Sequence, residues 1–150
     1  MARKQRMMDV LRIVLKILMW MLVVGFSCNF IMEKISYSFY KNAKPFSQVE
    51  FAPQHVQINE KLSGYKYNDS SEADHLILFF GGSGYPAYNA IGSYGGLFDC
   101  PFLSADYYGS QKSVGKMNLK SMQRTALDLY DWACVNYPNK KIYVMGHSYG

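Results

Sequence analysis

The run Lys141-Ile142-Tyr143-Val144-Met145 passes without a break into Gly146-His147-Ser148-Tyr149-Gly150. A short apolar run rich in β-branched and aromatic residues reads as a buried strand. The pentad that follows is a Gly-x-Ser-x-Gly motif. In that spacing a serine stands exposed on a sharp turn leaving a strand, in a strained backbone conformation. Glycines two residues to either side let neighbouring backbone pack close without a Cβ clash. Ser148 is therefore a candidate nucleophile. The plainer alternative is a Gly/Ser-rich loop that closes a strand.

Upstream of this strand, Leu119, Met122, Ala126, Leu129 or Tyr130, and Ala133 recur at intervals of three and four, the apolar face of a helix. Asn118 suits its N-cap and Pro138 its end. Two more unbroken apolar runs precede the helix, His75-Leu76-Ile77-Leu78-Phe79-Phe80 and Phe102-Leu103-Ser104-Ala105. Like 141–145, they read as strands buried on both faces, as in a parallel sheet. Between them, Gly-rich residues 88–97 suit a short helix. His55-Val56-Gln57-Ile58 and Ser63-Gly64-Tyr65-Lys66-Tyr67 alternate, as an antiparallel pair does. The order is β-β-β-α-β-α-β, an α/β pattern with a mainly parallel sheet and an antiparallel start.

Phe80 runs into Gly81-Gly82-Ser83-Gly84-Tyr85. A Gly-rich loop at the C-terminal end of a strand can aim backbone N–H groups at the oxyanion of an acyl-transfer intermediate. A tight β-to-α turn is the structural alternative. A phosphate loop fits poorly, because the spacing matches neither Gly-x-Gly-x-x-Gly nor the Walker pattern with its Lys.

The N-terminus has a different character. Residues 10–32 are apolar apart from Arg12, Lys16, Ser27, Cys28 and Asn29, and about 20 apolar residues suffice to cross a bilayer as a helix. Two readings stand, an uncleaved anchor and a cleaved signal peptide with Gly25-Phe26-Ser27 before the cut. Positive-inside logic places the N-terminus in the cytoplasm and the rest outside, or secreted or periplasmic after cleavage. Residues 1–32 thus form a basic region and anchor or signal, 33–54 an aromatic, polar linker, and 55–150 the α/β domain.

Composition supports this division. The 150 residues are 49% apolar and 18% charged, which excludes a disordered chain. The net charge of +5 invites a nucleic-acid reading. Yet residues 1–16 hold Arg3, Lys4, Arg6, Arg12 and Lys16 against Asp9, which leaves +1 for residues 17–150. A nucleic-acid partner would need its basic residues on the folded face, so none is expected. Cys100 and Cys134 could pair in an exported domain. No Cys-x-x-Cys or Cys/His cluster suggests zinc, and no metal or organic cofactor is implied.

Taken in order, three segments resemble the α/β-hydrolase superfamily. They are Leu76-Ile77-Leu78-Phe79-Phe80-Gly81-Gly82-Ser83-Gly84, then Ala105-Asp106-Tyr107-Tyr108-Gly109-Ser110-Gln111-Lys112-Ser113, and the pentad at 146–150. The middle segment is similar to the family's Asp-Tyr-Arg-Gly-x-Gly-x-Ser loop, with Tyr108 in place of Arg and Gln111 offset from the second Gly. Gly81 stands where many members have His. The likeness covers roughly residues 55–150 and looks closest to membrane-tethered lipases, esterases and serine-aminopeptidase-like enzymes.

The resemblance implies the N-terminal half of an α/β-hydrolase fold. It implies Ser148 as nucleophile, within an elbow of Gly146, His147 and Gly150, acting on an ester, thioester or amide of an acyl or peptide-like small molecule. The N–H of Tyr149 would be one oxyanion donor and that of Ser83, with Gly82 as a near substitute, the other. In the family an acid and a histidine follow the serine in chain order, and nothing follows Gly150 in these 150 residues. The expectation is a fragment, inactive alone. His55, His75 and His147 read as structural or surface residues, and Asp106 as a triad acid would be out of family order. The rival readings are a non-catalytic membrane-anchored binding protein on the same scaffold and an acyltransferase. The oligomeric state is not legible.

Overall fold

The computed structural model describes residues 2–150; Met1, and the side chains of Ala2, Arg3, Lys4, Asn29 and Met32 within the expected basic and membrane region, lie outside the described residues. The chain forms two compact units, residues 1–36 and Tyr37–Gly150.

The first unit belongs to helix α1, Ala2–Asn42. Leu11, Val14, Ile17, Trp20, Leu22 and Phe26 are all exposed. A helix that is apolar on every side is suited to an apolar surround rather than to one packed face. α1 is long and apolar enough to cross a membrane, by length and composition.

The second unit holds a five-stranded sheet. Its strands are β1 Gln54–Asn59, β2 Leu62–Tyr67, β3 His75–Phe80, β4 Phe102–Ala105 and β5 Lys141–Gly146, with α2 Ala87–Tyr94 and α3 Leu119–Asn136 between them. The spatial order is β1-β2-β4-β3-β5. β1 pairs antiparallel with β2 and β2 with β4, while β3 pairs parallel with both β4 and β5. Only β2 runs against the other four strands. The α/β order and antiparallel start expected from the sequence are thus present.

Strand alternation builds the core as two layers, one on each side of the sheet. Leu76, Leu78 and Phe80 of β3 join Leu103, Met122, Leu129 and Ala133 on the α3 side. Ile77 and Phe79 join Phe102, Ala87, Ala90 and Ile91 on the α2 side. The Asn118 side chain accepts from Ser121 N–H while Ser121 Oγ accepts from Asn118 N–H, a reciprocal cap that starts α3.

Three readings change. The linker expected at 33–54 is helical as far as Asn42, and Tyr37 and Tyr40 are buried in the α3-side core. Pro45 disfavours helical geometry at Lys44, just beyond the end of α1. α2 occupies Ala87–Tyr94 rather than 88–97. On α3 the buried face is Met122, Thr125, Leu129 and Ala133, with Leu119 exposed. Among the described residues, β5 lies at the edge of the sheet, with Tyr143 and Val144 exposed. Cys28, Cys100 and Cys134 are free thiols.

Candidate functional site

The strand order dictates what meets at the C-terminal ends of the strands. β3 leads to β4 in one direction across the sheet, and β4 leads back past β3 to β5 in the other. Crevices at such reversals are where open α/β sheets bind ligands. The loops leaving β3 and β5 are neighbours there because Phe80 pairs with Gly146. The glycine loop and the Gly-x-Ser-x-Gly pentad, 65 residues apart in sequence, are thus brought together by strand register.

The pentad turns sharply. His147 N–H continues the ladder to Phe80 O at 3.0 Å, and Gly150 N–H closes the turn on His147 O at 3.1 Å. Ser148 has φ +63°, the left-handed region. A non-glycine residue held there costs on the order of 1–3 kcal/mol. Crowding leaves room only for glycine on both flanks. A Cβ on Gly146 would meet Gly150 O at 2.3 Å, and one on Gly150 would meet Phe80 O at 2.0 Å. Ser148 itself is exposed.

Opposite lies the loop of residues 81–84. Tyr85 N–H donates to Gly82 O at 3.0 Å, making a tight turn with Ser83 and Gly84 at its centre. The loop packs directly on the pentad, and a Cβ on Gly82 would stand 3.0 Å from Ser148 Oγ. Among the described residues, the N–H groups of Gly82, Ser83 and Tyr149 have no hydrogen-bond acceptor in the protein.

The histidines are engaged elsewhere. His147 packs edge-on against Tyr85, their ring centres 5.2 Å apart. His75 bonds Asp74 at 2.9 Å at the start of β3, the opposite end from the glycine loop. His55 packs on Tyr65. Among the described residues none of them bonds Ser148, and Asp106 bonds no histidine.

An aromatic cluster whose side chains had no role in the sequence reading stands beside the serine. The Tyr149 ring packs against Tyr40 and Tyr107, and its buried hydroxyl has no hydrogen-bond partner among the described residues. Burial raises the pKa of Tyr107 and Tyr149, so both phenols stay neutral. The segment after β4 is a bracket for this region. Tyr108 hydroxyl donates to Asp128 Oδ2 at 2.6 Å and accepts from Asn59 Nδ2 at 2.9 Å. Gln111, at φ +48°, donates to Tyr40 O at 2.9 Å, a carbonyl in the last turn of α1, and to Ala43 O at 3.0 Å just beyond the helix. Ser113 Oγ donates to Asp106 O at 2.8 Å. Tyr108 and Gln111 thus each carry structural bonds of their own.

No family model matches the chain, and no curated protein matches it. Among solved structures, the chain is similar to one described as "The structure of Francisella virulence factor BioJ", at 19% identity and a TM-score of 0.48, over 80% of this chain and 42% of that one. The chain therefore spans about two fifths of that protein's length.

Proposed function

We propose that this chain carries the nucleophile half of a membrane-associated serine hydrolase. The observation that bears the reading is Ser148 at φ +63°, exposed, with the 81–84 loop against its side chain. A strained, exposed serine packed beside a loop with unpaired N–H groups is an arrangement suited to acyl transfer. Ser148 Oγ would attack the carbonyl carbon of an ester, thioester or amide and lose its proton to a base. The oxyanion formed would be met by the N–H of Tyr149 and that of Ser83 or Gly82. Collapse would release the alcohol, thiol or amine and leave an acyl-serine, which water then hydrolyses. In the hydrolase pattern the base is a histidine later in chain order, and the acid that orients it also follows the serine. The length and all-round apolar character of α1 support a membrane or export role for residues 10–32, with the α/β unit on the non-cytoplasmic side by the positive-inside rule.

A fluorophosphonate probe on the full-length protein tests the reading. Labelling of wild type and its loss in Ser148→Ala are expected. Equal labelling of the two overturns the assignment.

A further inference from the structure

Asp106 is a carboxylate in the wrong place for a soluble surface and for a triad. It is 2% exposed. Burying a carboxylate is costly unless its partners compensate, so its contacts indicate what holds it there. Oδ1 accepts from Ala87 N–H at 2.9 Å and from Tyr40 hydroxyl at 3.4 Å. Ala87 is the first residue of α2, the helix that the glycine loop enters. The backbone of Asp106 is itself fixed, its N–H donating to Ser63 O at 3.0 Å and its C=O accepting from Ser113 Oγ at 2.8 Å.

The next residue makes the matching contact. Tyr107 is also 2% exposed, and its hydroxyl donates to Gly81 O at 3.2 Å. Gly81 opens the glycine loop and Ala87 ends the turn beyond it. Two adjacent side chains leaving β4 therefore hold both ends of one loop, and the free N–H groups of Gly82 and Ser83 lie between those ends. No other side chain among the described residues bonds Gly81 O or Ala87 N–H.

We propose that Asp106 and Tyr107 are positioning residues that pin the 81–84 loop, fixing where its N–H donors point relative to Ser148. Neither side chain touches the reacting atoms; each acts through backbone of the loop. The consequence for catalysis rests on the Ser148 reading, whereas the pinning does not. A misplacement of about 1 Å in a reacting constellation costs about 100-fold in rate. Losing one pin should therefore lower the rate by about 10- to 100-fold.

The test uses the full-length protein with Asp106→Ala, Asp106→Asn and Tyr107→Phe. Hydrogen–deuterium exchange over residues 81–87 reads the pinning directly. Exchange is expected to quicken in Asp106→Ala and Tyr107→Phe and to stay near wild type in Asp106→Asn, whose Oδ1 still accepts from Ala87. Fluorophosphonate labelling reads the consequence. The maximal rate should fall in Asp106→Ala, half-saturation should hold within about 2-fold, and Asp106→Asn should recover the rate. If Asp106→Ala does not fold, Tyr107→Phe alone decides, because it removes one hydroxyl and no volume of ring. Unchanged exchange over 81–87 in Tyr107→Phe, or Asp106→Asn behaving as Asp106→Ala, overturns the proposal. Quicker exchange with labelling that ignores Ser148→Ala supports the pinning and overturns the serine reading.

Discussion

A side-chain carbon added to Gly82 would stand 2.4 Å from the Cβ of Ser148 and 2.8 Å from the backbone oxygen of His147. Both distances are far inside van der Waals contact, and the second is to backbone, which cannot rotate away. Gly82→Ala should therefore push the glycine loop off the pentad. The expected result is a fall of about 100-fold in Ser148 labelling by fluorophosphonate, with the melting temperature lowered. Gly84→Ala serves as the contrast, since nothing lies within 4 Å of a Cβ there. It should label at close to the wild-type rate.

Asp106 makes stability fall as pH rises. Burial pushes its carboxyl up to about 6, against the smaller opposing effects of Ala87 N–H, the Tyr40 hydroxyl and the Lys112 charge. A folded-state pKa above the unfolded value favours the protonated form in the fold. The associated stability is present in full below about pH 4 and is lost as pH climbs through about 6. The difference amounts to about 3 kcal/mol. Urea unfolding at pH 4.5 and pH 7.5 should show wild type losing about 2 kcal/mol of stability relative to Asp106→Asn, since part of the change is complete by pH 4.5. Parallel changes in the two proteins would count against it.

Asn118→Ala removes the side-chain acceptor for Ser121 N–H at 2.9 Å. Loss of an N-cap of this kind costs about 1 kcal/mol. The fold should survive with a lower denaturant midpoint, and Asn118→Asp should retain most of the stability.

Residues 10–32 should hold the protein in membranes. After alkaline carbonate washing, wild type is expected in the membrane pellet and a chain starting at residue 33 in the supernatant. N-terminal sequencing of the mature protein separates anchor from cleaved signal. Recovery of wild type in the supernatant with its first residues intact would contradict both.

Much of this architecture could be read from local patterns, because the decisive elements are apolar runs with clear boundaries. His75–Phe80 and Phe102–Ala105 begin and end where their hydrophobic runs do. The capping of α3 by Asn118 was equally legible, since cap chemistry depends on neighbours three residues apart. The misreadings share a tertiary cause. Thr125 looks polar, but it is buried because its hydroxyl accepts from Tyr108 N–H at 3.2 Å, a partner 17 residues away. Tyr37 and Tyr40 lie in a polar, aromatic run with no clean helical face, and only their burial in the α3-side core, with Tyr40 against Tyr107, shows where they belong.

The same holds for the candidate site. Ser148 and the glycine loop were visible as motifs. Asp106 was visible only as an acid at a strand end, and its bond to Ala87 depends on β4 lying beside β3, a pairing the sequence does not spell out.

The most direct measurement is peptide mapping of the full-length protein after fluorophosphonate labelling. The account predicts one modified peptide, with the adduct on Ser148, and its loss in Ser148→Ala and strong reduction in Gly82→Ala. An adduct on another residue, or none on Ser148 in protein that is folded by circular dichroism, would contradict it.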